Sequence, residues 1–282
     1  MTQRNNLFQG VMLLLFVGVI VFVGVQVASG IERNKISVDW SVLGRPSQFT
    51  DGTNLQSLLV GLWFTVRIAL VSIVLALLLG IVVGVSRLSS NPVVRGISSF
   101  YVELFRNTPL LIQIFFWNFA LVSALPKGVR EGLGSALGNF FNTGPLLGEA
   151  VLASIGALSI YTSSYIAETV RAGIQSIPKG QFEAASSLGL SGTQSLTRII
   201  LPQALRVVIP PLGNQFLNLT KNSSLVSAIG VGDLFYNNIQ IQNYEGQGFV
   251  AILSVTLGYA VLSLTITFVL NVINRRLSLP SR

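Results

Sequence analysis

Six stretches of this chain have the length and apolar character of membrane spans, and that limits the possible folds more than anything else in it. A hydrocarbon core of about 30 Å needs roughly 20 apolar residues per helix. The candidates run from about Leu7 to Ala28, Leu58 to Val85, Tyr101 to Leu125, Leu147 to Ala167, Val207 to Val231 and Phe249 to Ile273. The first, second and last are nearly free of charge. The first is longer than the apolar run of about 7–15 residues in a signal peptide, so it reads as a retained anchor. The expectation is an all-α integral membrane bundle of about six spans.

The shortage of charge supports the same conclusion. Only 10% of the 282 residues are charged, against roughly 25% in soluble domains. Too little polar surface remains to solvate a globule, so much of the exterior must face lipid. There is no Cys and no His, which removes thiol nucleophiles, imidazole bases, thiolate metal sites and disulfides together. The Asp and Glu residues are scattered, with no carboxylate ligand cluster for a metal. No Gly-Lys pair occurs anywhere, so there is no Walker-type phosphate loop. The chain is expected to be no enzyme and to bind no cofactor. If ATP drives it, another polypeptide binds the ATP.

Its net charge of +8 suggests nucleic acid, but membrane orientation explains it better. Arg4, Arg87, Arg95, Arg106, Arg171, Lys179, Arg198, Arg206, Arg275, Arg276 and Arg282 fall on one side of the predicted spans, against Glu103, Glu168 and Glu183. The opposite side is slightly acidic, with Arg33, Lys35, Arg45, Lys127 and Arg130 outweighed by Glu32, Asp39, Asp51, Glu131, Glu149, Asp233 and Glu245. Basic loops stay in the cytoplasm. Both termini and the Arg171–Arg206 loop are therefore expected there. Ile31–Asn54 is then an extracytoplasmic loop, long enough for a small cap. Pro126–Gly148, rich in Gly and Asn and closed by Gly144-Pro145, reads as a second outer loop.

The polar cytoplasmic stretch has a helical pattern of its own. Pro178-Lys179-Gly180 breaks the chain, and Gln181–Leu188 then predicts a short helix with Phe182, Ala185 and Leu188 along one side. Gly189 ends it as a C-terminal cap, and Ser191 or Thr193 can cap a second helix carrying Leu196, Ile199 and Ile200. Leu201-Pro202 stops or kinks that helix, and Pro210-Pro211 leads back into the membrane. The small Ala184 and Ala185 would let a partner surface approach closely, and Glu183 would supply one charge for register.

From Glu183 to Pro202 the residues follow the pattern Glu-Ala-Ala, three residues, Gly, nine residues, Ile, one residue, Leu-Pro. This resembles the cytoplasmic coupling loop of permease subunits of binding-protein-dependent ABC importers. Further stretches resemble the polar amino-acid branch: Gly61-Leu62-Trp63-Phe64-Thr65, Arg87-Leu88-Ser89, Tyr101–Leu111, Ala167–Gln181, Leu201-Pro202-Gln203-Ala204 and Lys221-Asn222-Ser223-Ser224-Leu225. In the last, Asn222 replaces an Asp. The resemblance implies a type I ABC importer-like fold in a bacterial inner membrane and a permease that forms the path for an amino acid. It implies an extracytoplasmic amino-acid-binding protein, a second permease subunit (identical or different) and ABC ATPase subunits that bind Glu183, Ala184, Ala185, Gly189, Leu201 and Pro202. It also implies a division into an added N-terminal span and loop (1–55), a transmembrane domain (56–276) with its coupling loop at 178–206, and a cytoplasmic tail (277–282). A secondary carrier and a receptor-gated channel are the rival readings.

Candidate substrate contacts come from polar groups within spans, which are costly unless they face protein or water. Asn214, Asn218, Lys221 and Leu225 recur at helical spacing, bordered by Asn222. Lys221 could neutralise an α-carboxylate, or hold helices together. Glu168 lies on the fourth span with Tyr161, Ser164 and Tyr165 at helical spacing. It could serve an ammonium group, a gate or a structural pair. Arg67 either snorkels outward or lines the path. Glu103 and Arg106, three apart, are expected to pair, and Gly80 and Gly84 to admit close helix packing.

Overall fold

Lipid offers no partner to a free N–H or C=O, and the chain meets that demand with helices. The computed structural model describes residues 2–277. Among them the only strand-like pairing is one isolated bridge, Pro46 to Thr53. Helix α1 (Thr2–Arg33) leads through a 3-10 turn (Trp40–Gly44) into α2 (Asn54–Ser86). Then come α3 (Pro92–Arg106), α4 (Leu110–Phe116) with a π turn (Trp117–Val122), and α5 (Lys127–Phe141). Helices α6 (Gly144–Gln175), α7 (Lys179–Ser187), α8 (Gly192–Ser195) and, after a π turn at Leu196–Ile200, α9 (Leu201–Asn222) follow. A 3-10 turn (Ser223–Ile229), α10 (Leu234–Glu245) and α11 (Gly248–Leu277) complete the order. From residue 278 on, the expected tail lies outside the described residues.

Helices α2 and α6 run parallel and form the axis of the bundle. Gly80 and Gly84 make their contact possible, as expected. A Cβ on Gly84 would meet the Ala167 carbonyl at 2.7 Å, and one on Gly80 would meet Ile166 and the Ser163 carbonyl. Around this axis lie two apolar clusters. Phe64, Ile68, Ile114, Phe141, Val151 and Leu158 fill one, and Ala76, Ile166, Ile174, Ile200, Val208 and Leu219 the other. Among the described residues four helices are long and apolar enough to cross a membrane: Gln9–Arg33, Asn54–Ser86, Leu147–Gln175 and Gly248–Asn274. None of the first is buried, whereas the most apolar window of the third is 72% buried.

The structure corrects several expectations. The third predicted span, Tyr101–Leu125, is two helices. Pro109 has no N–H for the ladder, so the chain breaks at Asn107–Pro109 and α4 starts anew. The buried Gln113 closes the break, its amide donating to Phe105 O at 2.9 Å, Thr108 O at 3.1 Å and Thr108 Oγ1 at 2.7 Å. The supposed outer loop 126–148 contains α5. Gly144 makes the expected turn with φ +76°, but Gly134 and Gly138 serve close crossing: a Cβ on Gly148 of α6 would overlap the Gly134 carbonyl and approach Gly138 N. Arg67 is half-buried and turns its head toward α5. Its guanidinium donates to Phe140 O and Phe141 O, each at 3.1 Å, and so binds the free carbonyls at the end of α5.

The Ile31–Asn54 loop folds into the expected small cap at the end of the bundle opposite α7. Arg45 pairs with Asp39 at 2.5 Å and with Glu245 at 2.8 Å. Asn54 donates to Val42 O and to Glu245. Val42 is fully buried with Leu58, Leu234 and Ile241. Asp39, outside the spans, is held below the ordinary carboxylate range by hydrogen bonds from Ser41, with Arg45 adding.

Candidate functional site

Two features stand out, a protruding hairpin at one end of the bundle and a polar groove between α6 and α9. The hairpin is α7 and α8, and Gly189 is its corner with φ +73°. An L side chain is strained in that left-handed region. The α7 C-terminus is closed by Leu190 N donating to Ala185 O at 3.2 Å. Ser191 then caps α8 in a reciprocal box with Gln194. The hairpin is rooted in the core through Ile177 and Ile200, both in the α6–α9 cluster, and Gln203 donates to Gln181 at 3.2 Å.

Helix α8 does not stop at Leu201-Pro202. The π turn before Pro202 widens the ladder by one residue, with Leu201 N bonding to Leu196 O. The chain continues as α9 straight through Pro210 and Pro211. Hairpin and groove therefore share one continuous helical rod. Among the expected contact residues, Glu183, Ala184, Gly189 and Pro202 are exposed and Leu201 is half-buried. Ala185 is 2% exposed and faces its own chain, because α7 turns it inward against α8. Phe182 and Leu188 do not share that face; Leu188 is 78% exposed and is the apolar tip of the hairpin.

The groove holds two cavities. The first, about 420 Å³, is lined by Tyr161, Thr162, Tyr165, Gln215, Asn218, Lys221 and Asn222. The second, about 470 Å³, is lined by Arg106, Tyr165, Glu168, Gln215, Val207, Pro211 and small residues of α6. Tyr165 and Gln215 border both. The hydroxyls of Tyr161 and Tyr165 share a hydrogen bond at 3.0 Å. Lys221 makes no ion pair among the described residues and opens into the first cavity. Asn214 is exposed and lines neither cavity. Leu225 also leaves the expected stripe, since α9 tightens into a 3-10 turn at Ser223 and loses its register.

Glu168 sits at the inner end of this groove and gathers arginines. Arg87, which follows α2, and Arg171, one turn along α6, both donate to it, and Arg106 approaches to 4.0 Å. Arg106 also lies 5.0 Å from the Tyr165 ring. The expected Glu103–Arg106 pair does not form, because Arg106 turns toward α6 instead. Gln215, Thr162 and Arg106 were not anticipated in the groove. Gln215 could have been found by continuing the three-residue Asn218–Lys221 spacing back along α9. Arg106 could not, since its neighbourhood depends on the break at Asn107. Also unforeseen is Asp233, fully buried, which caps α10 through Tyr236 N at 2.8 Å and accepts from Tyr259 Oη at 3.0 Å.

Comparison with known proteins gives consistent matches. Residues 72–279 match the family model of the binding-protein-dependent transport system inner membrane component. The chain is 31% identical to a putative amino-acid ABC transporter permease, YhdX of Escherichia coli K12, with 100% of this chain and 96% of that one covered. It is 37% identical to a probable glutamine ABC transporter permease, GlnM of Bacillus subtilis 168, over 79% of this chain and 94% of that one. Among solved structures, it resembles that of an amino acid ABC transporter with histidines, with a TM-score of 0.65 and 31% identity over 79% of this chain and 94% of that one.

Proposed function

This chain belongs to the binding-protein-dependent transport system inner membrane component family, and from that premise we propose that the α6–α9 groove is its translocation path and the α7–α8 hairpin its contact with an ATPase. It is a non-catalytic permease subunit of an amino-acid ABC importer, a multi-pass protein of the inner membrane. An extracytoplasmic binding protein delivers the amino acid, ABC ATPase subunits drive the cycle, and a second permease subunit closes the open side of the groove. Residues 1–55 are an addition to a transport core at 56–276. Six segments cross the bilayer, Tyr101–Leu125 as a broken third one and Val207–Val231 as the fifth, and both termini face the cytoplasm.

The observation that carries this reading is the rod running from α8 through the π turn into α9. A push on Pro202 reaches Gln215, Asn218, Lys221 and Asn222 through one helix, and a push on Glu183, Ala184 or Gly189 reaches that helix through the packing of α7 against α8. ATPase closure can then bias the groove between two states, as coupling requires. Tyr161 and Glu168 follow because the rod packs on α6. Ala185 and Leu201 hold the hairpin in shape behind its exposed face.

The test is uptake by the assembled importer in proteoliposomes. Disabling the ATPase should abolish accumulation, and collapsing the proton gradient should leave it intact. Accumulation that follows the gradient would overturn the proposal in favour of a secondary carrier.

A further inference from the structure

Resting on the assignment of the groove as the path, we infer that it favours amino acids with an anionic or amide side chain over cationic ones, and that Lys221 and Arg106 set this preference. The two cavities adjoin through Tyr165 and Gln215, and each carries one cation, Lys221 in the first and Arg106 in the second. Neither is fully neutralised. No carboxylate pairs with Lys221 among the described residues, and Arg106 reaches only Glu168, at 4.0 Å. Glu168 is the only carboxylate lining either cavity, and Arg87 and Arg171 already hold it. The groove therefore carries surplus positive charge.

Its remaining polar groups, the amides of Gln215, Asn218 and Asn222 and the hydroxyls of Thr162, Tyr161 and Tyr165, add hydrogen-bonding capacity without negative charge. The α-carboxylate and α-ammonium of any amino acid nearly cancel, so the side chain decides. A carboxylate gains from Lys221 and then from Arg106, and an amide finds donors and acceptors. A guanidinium or ammonium adds a like charge beside both cations. The Tyr165 ring, the surface best suited to a cation, is already occupied by Arg106 at 5.0 Å.

The test uses the complete importer in proteoliposomes, with one unchanged receptor, and measures uptake of L-glutamate, L-glutamine and L-arginine. Lys221→Gln is expected to lower the glutamate-to-glutamine uptake ratio about tenfold, and Lys221→Glu to lower it further. Asn214→Asp makes the same net charge change as Lys221→Gln, on the same helix but outside both cavities, and should leave the ratio at the parent value. Because the ratio is taken within each preparation, loss of assembled protein alone does not move it. Three results would overturn the inference: a ratio indifferent to both Lys221 variants, an equal shift from Asn214→Asp, or a parent complex that carries L-arginine as fast as the other two. Failure of the underlying reading looks different, as no ATP-dependent uptake by the parent from a complete amino-acid mixture.

Discussion

Lys221 and Glu168 border the same groove in opposite electrostatic situations. Lys221 has no carboxylate partner among the described residues, so removing it leaves no other charge stranded. Lys221→Ala should shift thermal stability by less than about 0.5 kcal/mol, as an unpaired exposed side chain does, yet reduce uptake severalfold. Wild-type kinetics in that variant would return Lys221 to a structural role. Glu168→Gln has the reverse signature. It leaves Arg87, Arg106 and Arg171 crowded without their shared anion, and the partly exposed network should lose about 1–3 kcal/mol. A melting curve of the purified complex reads this directly, and an unchanged midpoint would contradict it. The sequence made both residues conspicuous because charged groups are rare inside spans. It could not supply Arg106, which joins Glu168 only because the chain breaks after Asn107 and α3 folds back on α6.

At the scale of elements, legibility depended on whether the signal was local. The hairpin was readable because its Gly corner, its Ser191 cap and its polar surface are consecutive in sequence. Helix α5 was not, because Gly134 and Gly138 make sense only beside Gly148 on another helix. The break at Asn107–Pro109 was masked by the apolar runs on both sides, although Pro109 was visible. Two predictions follow from this geometry. Gly189→Val forces a β-branched residue into φ +73°, where such side chains are outliers. The variant should insert normally but lose ATPase co-purification and uptake, and full co-purification would count against the hairpin as the contact. Arg45→Ala removes the charge that joins Asp39 to Glu245. Hydrogen exchange over residues 36–47 should then rise while that of α6 stays unchanged; equal protection in both proteins would show that Val42 alone holds the cap.

Across the whole molecule, α1 stands apart from everything packed around the α2–α6 axis. None of its apolar span is buried, and the family match begins only at residue 72. The cap that follows it is fastened through Arg45 and Asn54 to Glu245 of α10, and through Ser37 and Asp39 to Gln247 in the turn before α11, none of which involves α1. Burial of apolar surface is what ties a helix to a core, at roughly 25 cal/mol per Å², and α1 gains almost none of it from its own chain. Its contribution is an anchor in lipid or a surface for another subunit. Removing residues 1–33 should therefore leave the fold of 34–277 intact, with the complex still containing its ATPase and still taking up substrate at close to the parent rate per assembled complex. Size-exclusion chromatography with uptake normalised to bound ATPase measures both. If the shortened chain assembles but no longer transports, α1 takes part in the cycle itself, and the boundary between addition and transport core must move toward the N-terminus.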